Sequence, residues 1–153
     1  HTQVIKQADV VTMLEFFHND YPQSVLKANW DYYSPRTEHG SSLSACMYAL
    51  LACRCGDAVS AYPFFLKSAK ADWDGGGKQW AGLVYIGGTH PAAAGGAWKV
   101  LAQGFAGLEV TEDGAKVTPC LPEGWERVSF RFCVKGKWYR AELTQDKGEI
   151  TAL

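Results

Sequence analysis

The chain has 153 residues, 47% of them hydrophobic, with 15 Lys and Arg against 16 Asp and Glu and a formal net charge of −1 at pH 7. That length suits one ordinary domain or two small ones with a packed core. Balanced charge leaves no electrostatic footprint for nucleic acid and no basic patch for anionic lipid, and no apolar run approaches the ~20 residues of a membrane span. The chain opens on His1 and polar residues interrupt every apolar stretch after it, so no signal peptide is expected.

Hydrophobic periodicity predicts helices first. One spans about 6–17, with Val10, Met13, Leu14 and Phe17 on one stripe. A second, about 22–33, ends before Pro35. The third is the clearest: Leu43, Cys46, Met47, Leu50 and Leu51 recur at helical spacing, and Gly56 closes it. Asp57 reads as the N-cap of a fourth, whose apolar set is Ala58, Ala61, Tyr62, Phe65 and Ala69. Pro63 falls inside that set and should kink the helix or mark a restart. Next comes DGGGKQWAGLVYIGGTHPAAAGGAW, glycine-rich and long enough to read as a functional or mobile loop. Its GGGKQW segment lacks the Ser or Thr after Lys78, and the preceding strand, that a phosphate loop requires. A fifth helix is expected at about 95–105.

From Leu108 the period becomes two. LEVTEDGAKVTP places Asp113-Gly114 between alternating residues, a hairpin signal. Val128, Phe130, Phe132 and Val134 share one strand face, Lys135-Gly136 turns the chain, and strands follow at 137–144 and near 149–152. The expectation is a mainly α chain, 1–107, followed by a four- or five-stranded antiparallel layer at 108–153. Five helices make only part of a bundle, so the chain reads as the C-terminal portion of a larger enzyme.

The five cysteines, Cys46, Cys53, Cys55, Cys120 and Cys133, are odd in number, irregular in spacing and form no C-x-x-C pair. That argues against a zinc knuckle and for free thiols in a reducing cytosol, hence a cytoplasmic protein with no metal. Aromatic residues make up 13%, six of them Trp, which suits either sugar platforms or an ordinary core.

Two stretches bear on chemistry. In PRTEHGSSLS, Ser41 and Ser42 precede the third helix, with His39 just upstream. The first N–H groups of a helix lack internal partners and sit at the positive end of its dipole, so an anion can accept them, with the hydroxyls as added donors. The alternative is that Ser41 only caps the helix. In GTHPAAAGGAW, His90 and the Gly95-Gly96 pair lead into another helix, where glycine lets a ligand approach the backbone. The alternative there is a surface loop with a solvated histidine. Lys6-Gln7, within VIKQADVV, could face a cavity and bind hydroxyl groups or form an exposed helix start. Glu15, Glu38 and the Asp72/Asp74 pair read as solvated charges rather than as an acid–base pair.

VIKQADVV, YYSPRTEHGSSLS, AYPFFLKSA, HPAAAGGAWKVLAQGFAGLEV and LPEGWERVSFRFCVKGKWYRAEL occur in that order. Together they resemble the C-terminal part of glycoside hydrolase family 65, which includes inverting maltose, kojibiose, nigerose and trehalose phosphorylases. The resemblance covers nearly the whole chain and implies the second portion of an (α/α)6 barrel, 1–107, followed by a small β-sheet domain, 108–153. It implies phosphate binding by Ser41, Ser42 and His90, helped by Gly95 and Gly96, and glucosyl binding by Lys6 and Gln7. Arg36 and His39 are supporting candidates. Inorganic phosphate would be the co-substrate, with no cofactor. An α-linked glucoside, the missing N-terminal portion and a second copy in a homodimer would be the partners. The general-acid glutamate of the family has no match here, so the isolated chain should be inactive. A hydrolase on the same scaffold, or a carbohydrate-binding module, is the alternative. Pro91, where the family usually has isoleucine, and the glycine-rich loop before it depart from the pattern.

Overall fold

The computed structural model describes residues 4–73, 79–81, 84–86 and 88–153, with 79–81 and 84–86 described by their backbone. The helices are α1 (Asp9–Phe16), α2 (Gln23–Tyr33), α3 (Ser44–Arg54), α4 (Ala58–Ala69) and α5 (Pro91–Lys99), the last continuing as a π-helix, Val100–Phe105. The strands are β1 (Gln79–Ala81), β2 (Val84–Ile86), β3 (Glu109–Thr111), β4 (Gly114–Lys116), β5 (Val128–Val134), β6 (Lys137–Leu143) and β7 (Gly148–Ala152). None of the helices is long and apolar enough to cross a membrane, among the described residues.

The core forms around α3, where Ala45, Cys46, Tyr48, Ala49, Leu50, Leu51, Ala52 and Cys53 are all buried. A helix apolar on every side needs neighbours on every side. Its small residues admit those neighbours closely. A Cβ on Gly96 would stand 2.5 Å from Cys46 Sγ, and one on Gly104 3.1 Å from Cys53 Sγ. Going from Cys46 to Cys53 on one helix matches going from Gly96 to Gly104 on the other, so α3 and α5 with its π-helix run parallel. α4 runs back along α3: the connection is tight at one end, where Asp57 N–H donates to Ala52 O at 2.9 Å. At the other end Ser68 adjoins Cys46.

Local signals explain the junctions. Gly56 ends α3 with φ of 73°, and the Asp57 side chain accepts from Ser60 N–H at 2.9 Å to start α4. α4 runs through Pro63 as one helix. Pro63 and Val59 are on its exposed side, so the Val59 carbonyl left without a partner can meet water. The first helix starts later than expected, at Asp9, because Ile5 and Lys6 pair instead with 36–40 around a parallel bridge, Ile5 to Thr37. α5 starts earlier, at Pro91, whose fixed φ suits a first helical position. The stretch read as one long loop therefore holds the β1–β2 hairpin and the start of α5. Residues 74–78, with Lys78 and Asp74, lie outside the described residues.

The C-terminal strands form two units rather than one layer. β3 and β4 pair as a ribbon, and β5-β6-β7 form a three-stranded antiparallel sheet. The first turn is Glu112-Asp113, with Gly114 at φ 145° opening β4, one residue from the expected position. Lys135 and Gly136 turn β5 into β6 with φ of 49° and 76°, the paired positive values of a type I′ hairpin. Val128 and Phe130 are buried and Phe132 and Val134 half-buried, as their alternation requires. Trp125, before β5, packs its ring against Tyr62, Phe65 and Phe105, which fixes the strand-rich part onto α4 and the π-helix.

Glu15 is a correction to the solvated reading: it is 2% exposed. It lies on the same face of α1 as Val11 and Leu14. Arg54 Nη2 is 3.3 Å and Lys99 Nζ 3.7 Å from Glu15 Oε1, while Arg54 Nη1 reaches Glu109 at 3.6 Å. One carboxylate thus ties α1, α3 and α5 together and, through Arg54, links them to β3. Glu15→Gln removes a buried charge that pairs with two half-buried cationic side chains, so urea unfolding should show a loss of about 2 kcal/mol. A loss within 0.5 kcal/mol, the usual range for surface changes, would contradict this.

Candidate functional site

Parallel α3 and α5 bring both predicted loop-to-helix junctions to the same end of the molecule. The C-terminal end of α4, with Ser68, lies there too. The Ser68 side chain is buried beside the Cys46 thiol, and its hydroxyl has no well-formed hydrogen bond among the described residues. A shallow pocket of about 210 Å³ opens there, lined by Ser68, Asp72, Trp73, His90 and Ala94 among others.

The serine pair lies in a turn, and α3 begins two residues after it, at Ser44. Ser41 Oγ accepts from Leu43 N–H at 3.3 Å, and Ser41 O accepts from Ser44 N–H at 3.1 Å. Both Ser41 and Ser42 are half-buried. Lys6 adjoins this turn. Its carbonyl accepts from Gly40 N–H at 3.0 Å, and its Cγ would be 3.5 Å from a Cβ at Gly40. The Lys6 and Gln7 side chains are exposed, and Gln7 Nε2 donates to Asp9 Oδ1 at 3.0 Å. The 5–7 segment and the serine turn are thus one unit, which their separation in sequence conceals.

His39 has a different environment from a free donor. Its ring lies edge-on to Tyr48 at 4.6 Å and against Phe64 at 4.8 Å, and Nδ1 is 2.8 Å from Ser44 Oγ. It holds φ of 56°, the left-handed region that few side chains favour. Burial, with Lys67 adding to it, pushes the imidazole down to about pKa 4. At neutral pH it is therefore an uncharged ring that orders the start of α3. The unfolded chain takes up this proton near pH 6.5 and the folded chain resists until about 4. Stability should thus be full above pH 6.5 and fall between 6.5 and about 4. His39→Gln should flatten that part of the pH–stability profile. Parallel profiles for the two proteins would refute it.

Arg36 is held on α2, with Nη1 donating to Tyr32 O at 2.6 Å and the guanidinium 4.3 Å over the Tyr32 ring. Gly95 and Gly96 lie inside α5, past its first turn, where N–H groups serve the helical ladder. Gly96 contributes packing space against Cys46, and Gly95 faces open space.

His90 is the residue before Pro91 and caps α5. Asp72 grips it twice: Oδ2 accepts from His90 N–H at 2.7 Å, and Oδ1 is 2.6 Å from Nδ1. The His90 bonds hold the Asp72 carboxyl below its ordinary range. With Nδ1 committed to the carboxylate, Nε2 is the nitrogen left to meet a ligand. Asp72 is the residue of this candidate site that the sequence did not reveal. It lies far from His90 along the chain, outside both motifs, and reads as one of two surface acids. Among the described residues no group of His, Cys, Asp and Glu is arranged to hold a metal.

Known proteins resemble this chain in sequence and in fold. Residues 1–99 match the glycosyl hydrolase family 65 central catalytic domain, and residues 108–153 match the family 65 C-terminal domain. A nigerose phosphorylase of Lachnoclostridium phytofermentans is 56% identical over 153 residues, 100% of this chain and 20% of that protein. A kojibiose phosphorylase of Caldanaerobacter subterraneus subsp. tengcongensis is 39% identical over 152 residues, 98% of this chain and 19% of that protein. A solved structure described as a kojibiose-phosphorylase-type protein from the human microbiome superposes with a TM-score of 0.83 at 27% identity. The match covers 99% of this chain and 22% of that one. The chain therefore spans about a fifth of the length of the curated relatives it matches. With both of its parts matched in order, the chain belongs to glycosyl hydrolase family 65.

Proposed function

We propose that this chain is the C-terminal part of an inverting disaccharide phosphorylase, which cleaves an α-glucosidic bond with inorganic phosphate and releases β-glucose 1-phosphate. Residues 1–107 would complete an (α/α)6 barrel with the preceding polypeptide, and 108–153 would be its C-terminal domain. The observation that carries the reading is the shared end of α3 and α5, with the serine turn and Lys6 at one helix start and the Asp72-held His90 at the other. If the two helix starts converge, they would offer hydroxyls and an imidazole to one oxyanion.

The chemistry is consistent. An inverting hydrolase needs a carboxylate to activate water, whereas phosphate is already an anionic nucleophile and needs only to be held behind the anomeric carbon. Ser41, Ser42 and His90 would hold it, while Lys6 and Gln7, exposed beside the turn, would meet glucosyl hydroxyls. α1 supports a larger protein: Met13, Phe16 and Phe17 are exposed on the side opposite Val11 and Leu14, so a second apolar surface is expected over them. That surface would come from the N-terminal portion of the polypeptide, and a homodimer is the expected assembly.

The test is glucoside cleavage by the full-length enzyme with and without phosphate. Strict phosphate dependence with glucose 1-phosphate as product is expected. Cleavage that runs equally well in phosphate-free buffer would assign the scaffold to a hydrolase, for which Ser42→Glu would supply the missing carboxylate. The purified 153-residue chain should show no turnover, and activity from it alone would refute the division of labour.

A further inference from the structure

A second groove, of about 570 Å³, lies between the helical part and the strand-rich part, away from the candidate phosphate site. Cys53, in the last turn of α3, and Cys120, in the segment before β5, both line it. Their thiols adjoin, and the segments that carry them are neighbours: Cys53 Sγ lies against Gly104, and Cys120 N–H donates to Phe105 O at 2.8 Å. Both are free cysteines. We propose that Cys53 and Cys120 are a redox-sensitive dithiol that a two-electron oxidant such as hydrogen peroxide closes to a disulfide, clasping the helical part to the strand-rich part. This inference is independent of the phosphorylase reading.

Geometry assigns the roles. Cys120 is half-buried and lines an open groove, so an oxidant can reach it. Cys53 is buried and packed against Gly104. The neighbouring Cys53 favours the Cys120 thiolate, while Cys120 and burial push the Cys53 thiol up. Cys120 is thus the attacking sulfur and Cys53 the resolving one. In the first step the Cys120 thiolate attacks a peroxide oxygen, the O–O bond breaks, and a sulfenic acid forms with release of hydroxide. In the second, the Cys53 sulfur attacks the Cys120 sulfur, the S–O bond breaks, and hydroxide leaves with the Cys53 proton as water. The proton lost in forming the thiolate neutralises the first hydroxide. Two thiols and one hydrogen peroxide give one disulfide and two waters. The adjoining sulfurs must close to the ~2.05 Å of the bond.

The backbone around both thiols is anchored, which limits loss of the contact by drift. Cys120 N–H donates to Phe105 O at 2.8 Å, and Cys53 belongs to the most buried helix. Cys133 is exposed on β5 and serves as an internal control, since it can react only with small thiols or with a second chain.

The experiment treats the chain with a slight excess of hydrogen peroxide and counts thiols, followed by peptide mapping under non-reducing conditions. Expected are the loss of two of five thiols, a monomeric product, a Cys53–Cys120 linked peptide and a rise of about 10 °C in thermal midpoint that dithiothreitol reverses. Cys53→Ala and Cys120→Ser should each abolish the linked peptide. The Cys120 change, at a less buried site, keeps the test available if the Cys53 variant does not fold. Oxidation that yields only Cys133-linked dimers or sulfinic acid at Cys120, or equal thiol loss in Cys120→Ser and parent, would overturn the proposal.

Discussion

In the full-length enzyme, His90→Ala should lower kcat/KM for phosphate by about 100-fold or more, the scale of removing one pre-aimed donor from an oxyanion. Ser42→Ala should cost about 10- to 100-fold, the range of a hydrogen bond to a charged group. Both losses should appear in the phosphate parameters, while the apparent affinity for the glucoside changes little. Asp72→Ala removes no proposed ligand contact. It frees the imidazole to rotate and removes the carboxylate that fixes Nδ1, so a loss of about 10-fold is expected from the positioning role. The readout specific to positioning is the pH dependence of the phosphate KM, which should shift in Asp72→Ala with the thermal midpoint unchanged. Steady-state kinetics in which His90→Ala and Ser42→Ala bind phosphate as the parent does would remove both residues from the site, even if cleavage remained phosphate-dependent.

Among the described glycines, Gly107→Ala should be the most damaging substitution. Gly107 has φ of 59°, and a Cβ there would stand 2.1 Å from Thr118 O, 2.9 Å from Thr118 C and 3.0 Å from Thr118 N. All three atoms are backbone. They cannot retreat cheaply, because Thr118 N–H is shared between Ala106 O at 3.2 Å and Gly107 O at 3.3 Å, and Cys120 N–H is bonded to Phe105 O. Gly107 is where the chain leaves the π-helix for β3, so the collision falls on the joint between the helical and strand-rich parts. A left-handed residue costs roughly 1–2 kcal/mol and overpacking typically 1–3 more, giving a loss of about 3 kcal/mol or more in urea unfolding. Gly56→Ala provides the comparison: φ is 73° but no atom lies within 4 Å of its Cβ, so only the conformational cost of about 1 kcal/mol applies. Equal losses in the two variants would show that the Thr118 segment yields freely.

How much of the fold was legible in the sequence depended on the range of the interaction. α2, α3 and α4 followed from apolar spacing because each signal and its consequence lie within a few residues: Gly56 stops, Asp57 caps, and the next helix begins. The hairpins at Lys135-Gly136 and near Gly114 were legible for the same reason, since positive φ is a local demand. The start of α1 was misplaced because Ile5 and Lys6 are claimed by hydrogen bonds with 36–40, a tertiary competition that periodicity cannot see. The glycine pair misled in the opposite way. Bare glycines before an apparent helix suggest exposed N–H groups, but Gly96 is inside the helix, and its missing side chain makes room for Cys46.

The sequence by itself marked Ser41, Ser42 and His90 as candidates to hold an anion, and determined the helix-then-strand order that frames them. It could do so because residue chemistry and local backbone preference belong to short stretches. Only the tertiary structure decided that α3 and α5 run parallel, that Asp72 grips His90, that His39 is packed among aromatics, and that Glu15 is a buried tie. Those outcomes arise from packing small residues around α3. Close approach at Gly96 and Gly104 sets direction and register between segments far apart in the chain, and no pattern within either segment encodes it.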